Sequence, residues 1–243
     1  MRTLAFPALL AGTLLLEAPA RPPSAAPATA DRIRAVISAA EALSNVPLRE
    51  VVAAVTGKQI LQLQSDKVPA DAAARDHITK AADSALAFLN AEESPVKGLR
   101  RINEASRHLE DKFAALLNAG DFACAVPKNT AGESQRSGYP DLRLVHKPTG
   151  RVYYLDPKLY EATAEASTLR TFYYEPRDLT GKIAENACHL ILGIAHDGKD
   201  GAWRFTGWRL ADLHDFRVRL KAEFQASNRE LYREELTVGK SRP

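Results

Sequence analysis

The sequence changes texture at Gly120. Upstream, from Asp31, it is rich in Ala and poor in Gly, and Ile33, Val36, Ile37 and Ala40 fall three and four apart, the spacing of one helical face. Breaks at Asn45-Val46-Pro47, Val68-Pro69 and Glu93-Ser94-Pro95 divide this part into three or four helices, because proline stops a helix and the short connections favour packed hairpins. The last should span 96–118, with Ile102, Leu109, Phe113, Leu116 and Leu117 on one stripe and Gly120 as its cap. Downstream, short β-rich runs alternate with turns: 122–126, then 141–146, the turn Lys147-Pro148-Thr149-Gly150, and 151–155. An aromatic strand is expected at 168–174, a short helix at about 178–187 and a buried strand at 190–195. Asp197-Gly198-Lys199-Asp200-Gly201 then turns the chain into 202–210, and an amphipathic helix follows at about 215–235. A long helix followed by strand, hairpin, short helix and strand makes an α+β unit with a mixed sheet flanked by helices.

Composition narrows the function. With 45% hydrophobic and 26% charged residues the chain is globular, and disorder and coiled coil are excluded. The balance of 33 Lys plus Arg against 30 Asp plus Glu is too even to announce a nucleic-acid binder, so any basic surface is local. The two cysteines, Cys124 and Cys188, form neither a disulfide framework nor a zinc spacing. Whether they pair with each other is open.

The first thirty residues have the layout of a secretory signal: Arg2, an apolar run from Leu4 to Leu16, and small residues at Ala18-Pro19-Ala20 and Ala28-Thr29-Ala30. The run is shorter than the roughly 20 residues of a spanning helix and Glu17 closes it. The expectation is a leader over 1–30, cleaved near 20 or 30, and an exported product, periplasmic or extracellular, without stable membrane insertion. A helical extension over 31–95 and a core over 96–243 would follow.

The stretch that carries chemistry is Gly138-Tyr139-Pro140-Asp141-Leu142-Arg143-Leu144, followed by Val152-Tyr153-Tyr154-Leu155-Asp156-Pro157-Lys158. Strand side chains alternate between faces, so Asp156 and Lys158 share one. Asp141 opens the first strand of the hairpin and Asp156 closes the second, so antiparallel pairing brings the acids together. Two carboxylates supply the hard oxygens that Mg²⁺ or Mn²⁺ prefers, and a neighbouring lysine can orient water and stabilise charge on a phosphoryl group. The bland alternative is a hairpin salt-bridge cluster.

Pro140-Asp141, fourteen intervening residues and Asp156-Pro157-Lys158 resemble the PD-(D/E)xK nuclease superfamily, whose restriction-endonuclease-like core has a similar order of elements. The resemblance implies a Mg²⁺-dependent nuclease (Mn²⁺ as the alternative ion) acting on DNA or RNA, DNA being favoured, with Asp141 and Asp156 as metal ligands and Lys158 beside the attacking water. Many members add a glutamate from the first core helix. Glu110 borders the apolar stripe, whereas Glu104 points nearly opposite Leu109, so Glu110 is the third candidate. Arg170 and Lys182 are candidates for phosphate contact. The family usually has an apolar, often β-branched residue where Pro157 stands. A second reading keeps the fold without catalysis, as an exported module that binds nucleic acid or protein.

Other signals are weaker. The 127–138 stretch is a polar loop, either inert or ordered over a substrate. Phe172, Tyr173, Tyr174, Trp203 and Trp208 suit a core better than base stacking, and His189 and His196 suit hydrogen-bonded packing. Asp197 does not begin a calcium loop, because the twelfth position is Trp208.

Overall fold

A computed structural model describes residues 28–168, 171–176 and 181–239. The leader assignment therefore lies, for 1–27, outside the described residues, as does the assignment of Arg170. The chain forms two compact units, Leu43–Lys221 and the chain ends Met1–Ala42 with Ala222–Pro243. The chain-end unit contributes helix α1, Thr29–Ala42.

In the larger unit, strand β1 (Val46–Pro47) leads into α2 (Leu48–Thr56), β2 (Ile60–Leu61) and α3 (Pro69–Asn90). Pro69 opens α3, where its missing N–H costs nothing. Ala74, Ile78, Ala81, Ala82, Ala85 and Leu89 form the buried stripe of α3, and Ala105, Leu109, Phe113 and Leu117 that of α4 (Ala105–Leu117). α4 starts later than the expected 96–118. Gly98 has φ +80°, which no helix accepts, and the carbonyl of Leu99 is taken by Trp203 Nε1 at 2.7 Å.

The sheet is mixed, as expected. Strands β3 (Phe122–Ala125), β4 (Leu142–His146) and β5 (Arg151–Glu161) form an antiparallel meander. β6 (Ala187–His196) then pairs parallel to β5, and β7 (Phe205–Asp212) returns antiparallel to β6. The order is β2-β6-β5-β4-β3, with β7 also on β6. Both faces of β5 are covered, so 152–157 are all buried and its alternation is invisible as hydrophobicity. One face, with Leu142, Leu144, Tyr153 and Leu155, packs against α3 and α4. The other, with Val152 and Tyr154, meets Leu48, Val52 and Ile183. Asp71 of α3, fully buried, accepts from Tyr153 Oη at 2.8 Å, Arg151 Nη2 at 2.9 Å and the Gln64 N–H at 2.8 Å.

Among the described residues, three expected elements do not form. Residues 171–176 are irregular rather than a strand, and Phe172 and Tyr174 set their edges against Tyr139. Residues 181–186 are not helical: Ala184 N–H donates to Tyr154 Oη at 3.0 Å, and Glu185 accepts from Arg143 at 2.6 Å, so side chains replace a helical ladder. The expected 215–235 helix is replaced by β8 (Arg217–Val218), which pairs with β1, and one turn of helix, α5 (Asn228–Leu231). Phe224, Leu231 and Tyr232 remain exposed, and a helix that buries no face is marginal.

Cys124 and Cys188 are free and buried on β3 and β6. With β4 and β5 between them in the sheet, they stand about 14 Å apart at ~4.8 Å per strand, beyond disulfide reach. Among the described residues, no helix is long and apolar enough to cross a membrane.

Candidate active site

The hairpin builds the centre of the site. Leu142 pairs with Leu155, so one further step places Asp141 opposite Asp156. Lys158, two residues on, shares the face of Asp156. Its Nζ lies 2.8 Å from Asp156 Oδ2 and 3.6 Å from Asp141 Oδ2. β4 ends at Leu142, so past Leu155 the strand β5 keeps β6 as its partner but loses β4. Pro157 sits in that stretch, where a missing N–H is tolerated.

Asp156 is almost fully buried, its side chain 2% exposed. Apart from the Lys158 ammonium and the neighbouring Asp141 carboxyl, its carboxylate oxygens have no hydrogen-bond partner among the described residues. Burial, then the nearby Asp141, pushes its pKa up to about 8 against the pull of Lys158. Burial alone would lower the Lys158 pKa, but Asp156 and Asp141 outweigh it and hold the ammonium above its ordinary value.

Glu110 joins this pair from α4. It is partly buried, and burial followed by the charge of Asp141 raises its pKa, while Arg136 and Lys158 act in the opposite sense. Glu104 lies in the 3-10 turn that precedes α4 and is exposed. Lys182 is 2% exposed and donates from Nζ to the Gln135 carbonyl at 3.2 Å. Burial lowers its pKa, and the charges of Asp141, Asp156 and Glu110 offset part of that. It thus feels the charge of all three acids, from an irregular segment and not from the expected helix.

Sequence reasoning missed how the 127–138 stretch is fixed. Asn129 Oδ1 accepts from the N–H groups of Ala131 at 3.0 Å and Glu133 at 2.9 Å, Lys128 bridges to Ser134, and Thr130 N–H donates to Gly181 O at 3.0 Å. Arg136 ties the strap to α4, with Nη2 donating to Asp111 Oδ1 at 2.7 Å and Nη1 3.7 Å from Glu110 Oε2. The Asn129-to-Gly132 turn is the one local signal in that stretch.

Tyr139, before the Pro140-Asp141 pair, hydrogen bonds through Oη to His189 Nδ1 at 2.8 Å, both side chains being buried. Burial brings the His189 pKa down to about 3, so the ring is a neutral packing group. His196 Nδ1 accepts from the Gly198 N–H at 3.1 Å. Both histidines serve as packing groups, and the Asp197 turn joins β6 to β7.

Among the described residues, no group of three or more His, Cys, Asp or Glu side chains is placed to hold a metal ion. Mg²⁺ does not require such a group, since it is commonly held by one or two carboxylates with water and phosphate completing its shell. The buried carboxylate of Asp156, which meets only Lys158 and Asp141, fits that donor set.

Over residues 42–235 the sequence matches the family model of the type II restriction enzyme MjaV family. It is 34% identical over 145 residues to the type II restriction enzyme MjaV of Methanocaldococcus jannaschii, an alignment covering 57% of this chain and 63% of that relative.

Proposed function

The chain belongs to the type II restriction enzyme MjaV family, and on that premise we propose that it is a Mg²⁺-dependent DNA endonuclease. The convergence of Asp141, Asp156 and Lys158 at one hairpin end carries this reading. Asp141 and Asp156 would hold the ion, with Glu110 completing the anionic side, and Mn²⁺ would fit the same oxygens. A bound divalent ion supplies Lewis-acid polarisation of the phosphoryl oxygen and a more acidic water.

The residues of the chain do the rest. Lys158, held protonated by its two acids, donates hydrogen bonds to the attacking water or a phosphoryl oxygen, and stabilises negative charge as it develops. Its raised pKa argues against proton abstraction by the amine itself. Asp141 and Asp156 fix that ammonium at the hairpin end. Lys182, drawn in by Gln135, adds a second amine within reach of the carboxylate charges.

Digestion of plasmid and short duplex DNA with Mg²⁺, and with EDTA, tests the reading, with single-stranded DNA and RNA as comparison substrates. Cleavage of duplex DNA that stops with EDTA and in Asp156→Ala is the expected result. Undiminished cleavage by the variant removes the assignment, and salt-sensitive binding without turnover indicates a non-catalytic module.

The leader over 1–30 is a separate proposal, supported by the Leu4-to-Leu16 run and the small residues after it. A mature N terminus near 20 or 30 in the periplasmic or extracellular fraction is its expected outcome. An intact N terminus in the cytosolic fraction discards export and leaves the site reading untouched.

A further inference from the structure

The acid cluster combines three carboxylates, Asp141, Asp156 and Glu110, with the amines of Lys158 and Lys182. Lys182 is 2% exposed and the Lys158 side chain 31%, with its amine held against Asp156 and Asp141, so neither is as open to solvent as a rim cation. A DNA backbone approaching such a site meets repulsion unless a cation stands at the rim. Arg136 stands there. Its side chain is 49% exposed, with Nη2 on Asp111 at 2.7 Å and Nη1 3.7 Å from Glu110.

The base of that side chain is fixed as well. The neighbouring Gln135 carbonyl accepts from buried Lys182, and the strap is pinned to Gly181 and closed on itself by Asn129. A guanidinium has five N–H donors in a planar fork, more than Asp111 and Glu110 take up here. An arginine already oriented by a carboxylate loses less side-chain freedom on gripping a phosphate.

We propose that Arg136 is a phosphate-contacting residue of this site, holding the DNA backbone at the Glu110 side of the acid cluster. The proposal rests on the nuclease reading. Asp111 is its positioning partner, keeping the guanidinium at the rim.

Equilibrium binding of a labelled DNA duplex in EDTA, over a KCl series, tests it in the full chain silenced by Asp156→Asn. In that background Arg136→Ala should weaken binding about tenfold on unrelated duplexes alike and reduce the slope of log K against log salt by about 0.9, one phosphate contact. Arg136→Lys should keep the slope. Asp111→Asn, which frees the guanidinium but leaves the cation, should keep it too. An unchanged slope in Arg136→Ala overturns the proposal, and so does an equal loss in Asp111→Asn, which would make the pair a brace for the strap. If the unmodified chain cleaves duplex DNA while Arg136→Ala keeps the slope, only this proposal falls; if it neither binds nor cleaves DNA, the nuclease reading falls with it.

Discussion

Asp141 and Asp156 face each other across the open end of the β4–β5 hairpin, one step beyond the Leu142–Leu155 pair. Lys158 stands between them, 3.6 Å from one and 2.8 Å from the other. Two carboxylates so placed repel when both are charged, and the more deeply buried one bears the cost. Asp156 is that one, and burial first, then the neighbouring Asp141, raises its proton affinity.

Catalysis should depend on this triad unequally with Glu110. Asp156→Ala, Asp141→Asn and Lys158→Gln should each lower the rate of plasmid cleavage on the order of a thousandfold, the scale of losing an electrostatic group at the reacting centre. Glu110→Gln should cost about tenfold at saturating Mg²⁺ and more at low Mg²⁺, as for a ligand at the edge of the shell. A Mg²⁺ titration of the initial rate that superimposes on that of the unmodified chain would exclude Glu110 as a ligand.

The raised pKa of Asp156 sets a pH dependence of stability. The native chain binds this proton more tightly than the unfolded one, whose carboxyl titrates near its ordinary 3.8. The contribution of this group is greatest below that range and is lost as pH rises toward about 8. Asp156→Asn keeps the uncharged form at every pH. In EDTA, urea unfolding should show the variant gaining on the unmodified chain between pH 5 and pH 8, by on the order of a few kcal/mol at the upper end. Parallel stability curves would contradict the assignment.

A divalent ion should reverse that penalty. Mg²⁺ favours the ionised carboxylates, and a ligand that binds only the native state raises its stability by mass action. Melting of the unmodified chain should rise by about a few degrees in millimolar Mg²⁺, more at pH 8 than at pH 6. Asp156→Asn should not respond. An equal shift in both proteins would place the ion elsewhere.

Asp71 offers a test away from the chemistry. It is fully buried and takes donors from Arg151, Tyr153 and Gln64, joining α3 to the start of β5. Asp71→Ala leaves Arg151 without its buried partner and should cost about 3–5 kcal/mol in urea unfolding, whereas Tyr153→Phe should cost only ~1–3 kcal/mol. A loss below ~1 kcal/mol for Asp71→Ala would mean that water replaces the pair.

The helix stripe of Leu109, Phe113 and Leu117, the 147–150 turn and the spacing of Asp156 and Lys158 were legible in the sequence, because each follows from a period or a short loop that neighbouring residues complete. The same locality led Glu110 to be preferred over Glu104. Where the backbone is held by distant side chains, local pattern misled: the aromatic 168–174 run and the 178–187 segment carry the composition of regular elements, but 171–176 and 181–186 are irregular, the latter fastened by Tyr154 and Arg143. The 215–235 helix has an amphipathic pattern but no covered face. Lys182 and Gln135 are 47 residues apart, and Arg136 meets Asp111 from 25 residues away. By itself the sequence determined that two acids and a lysine share one end of a hairpin, since strand alternation and antiparallel register are geometric consequences of a short turn. Only the tertiary structure decided that Asp156 is buried, that Lys182 is enclosed within reach of its charge and that Arg136 stands at the rim, because burial and charge pairing depend on which remote segments close over a site.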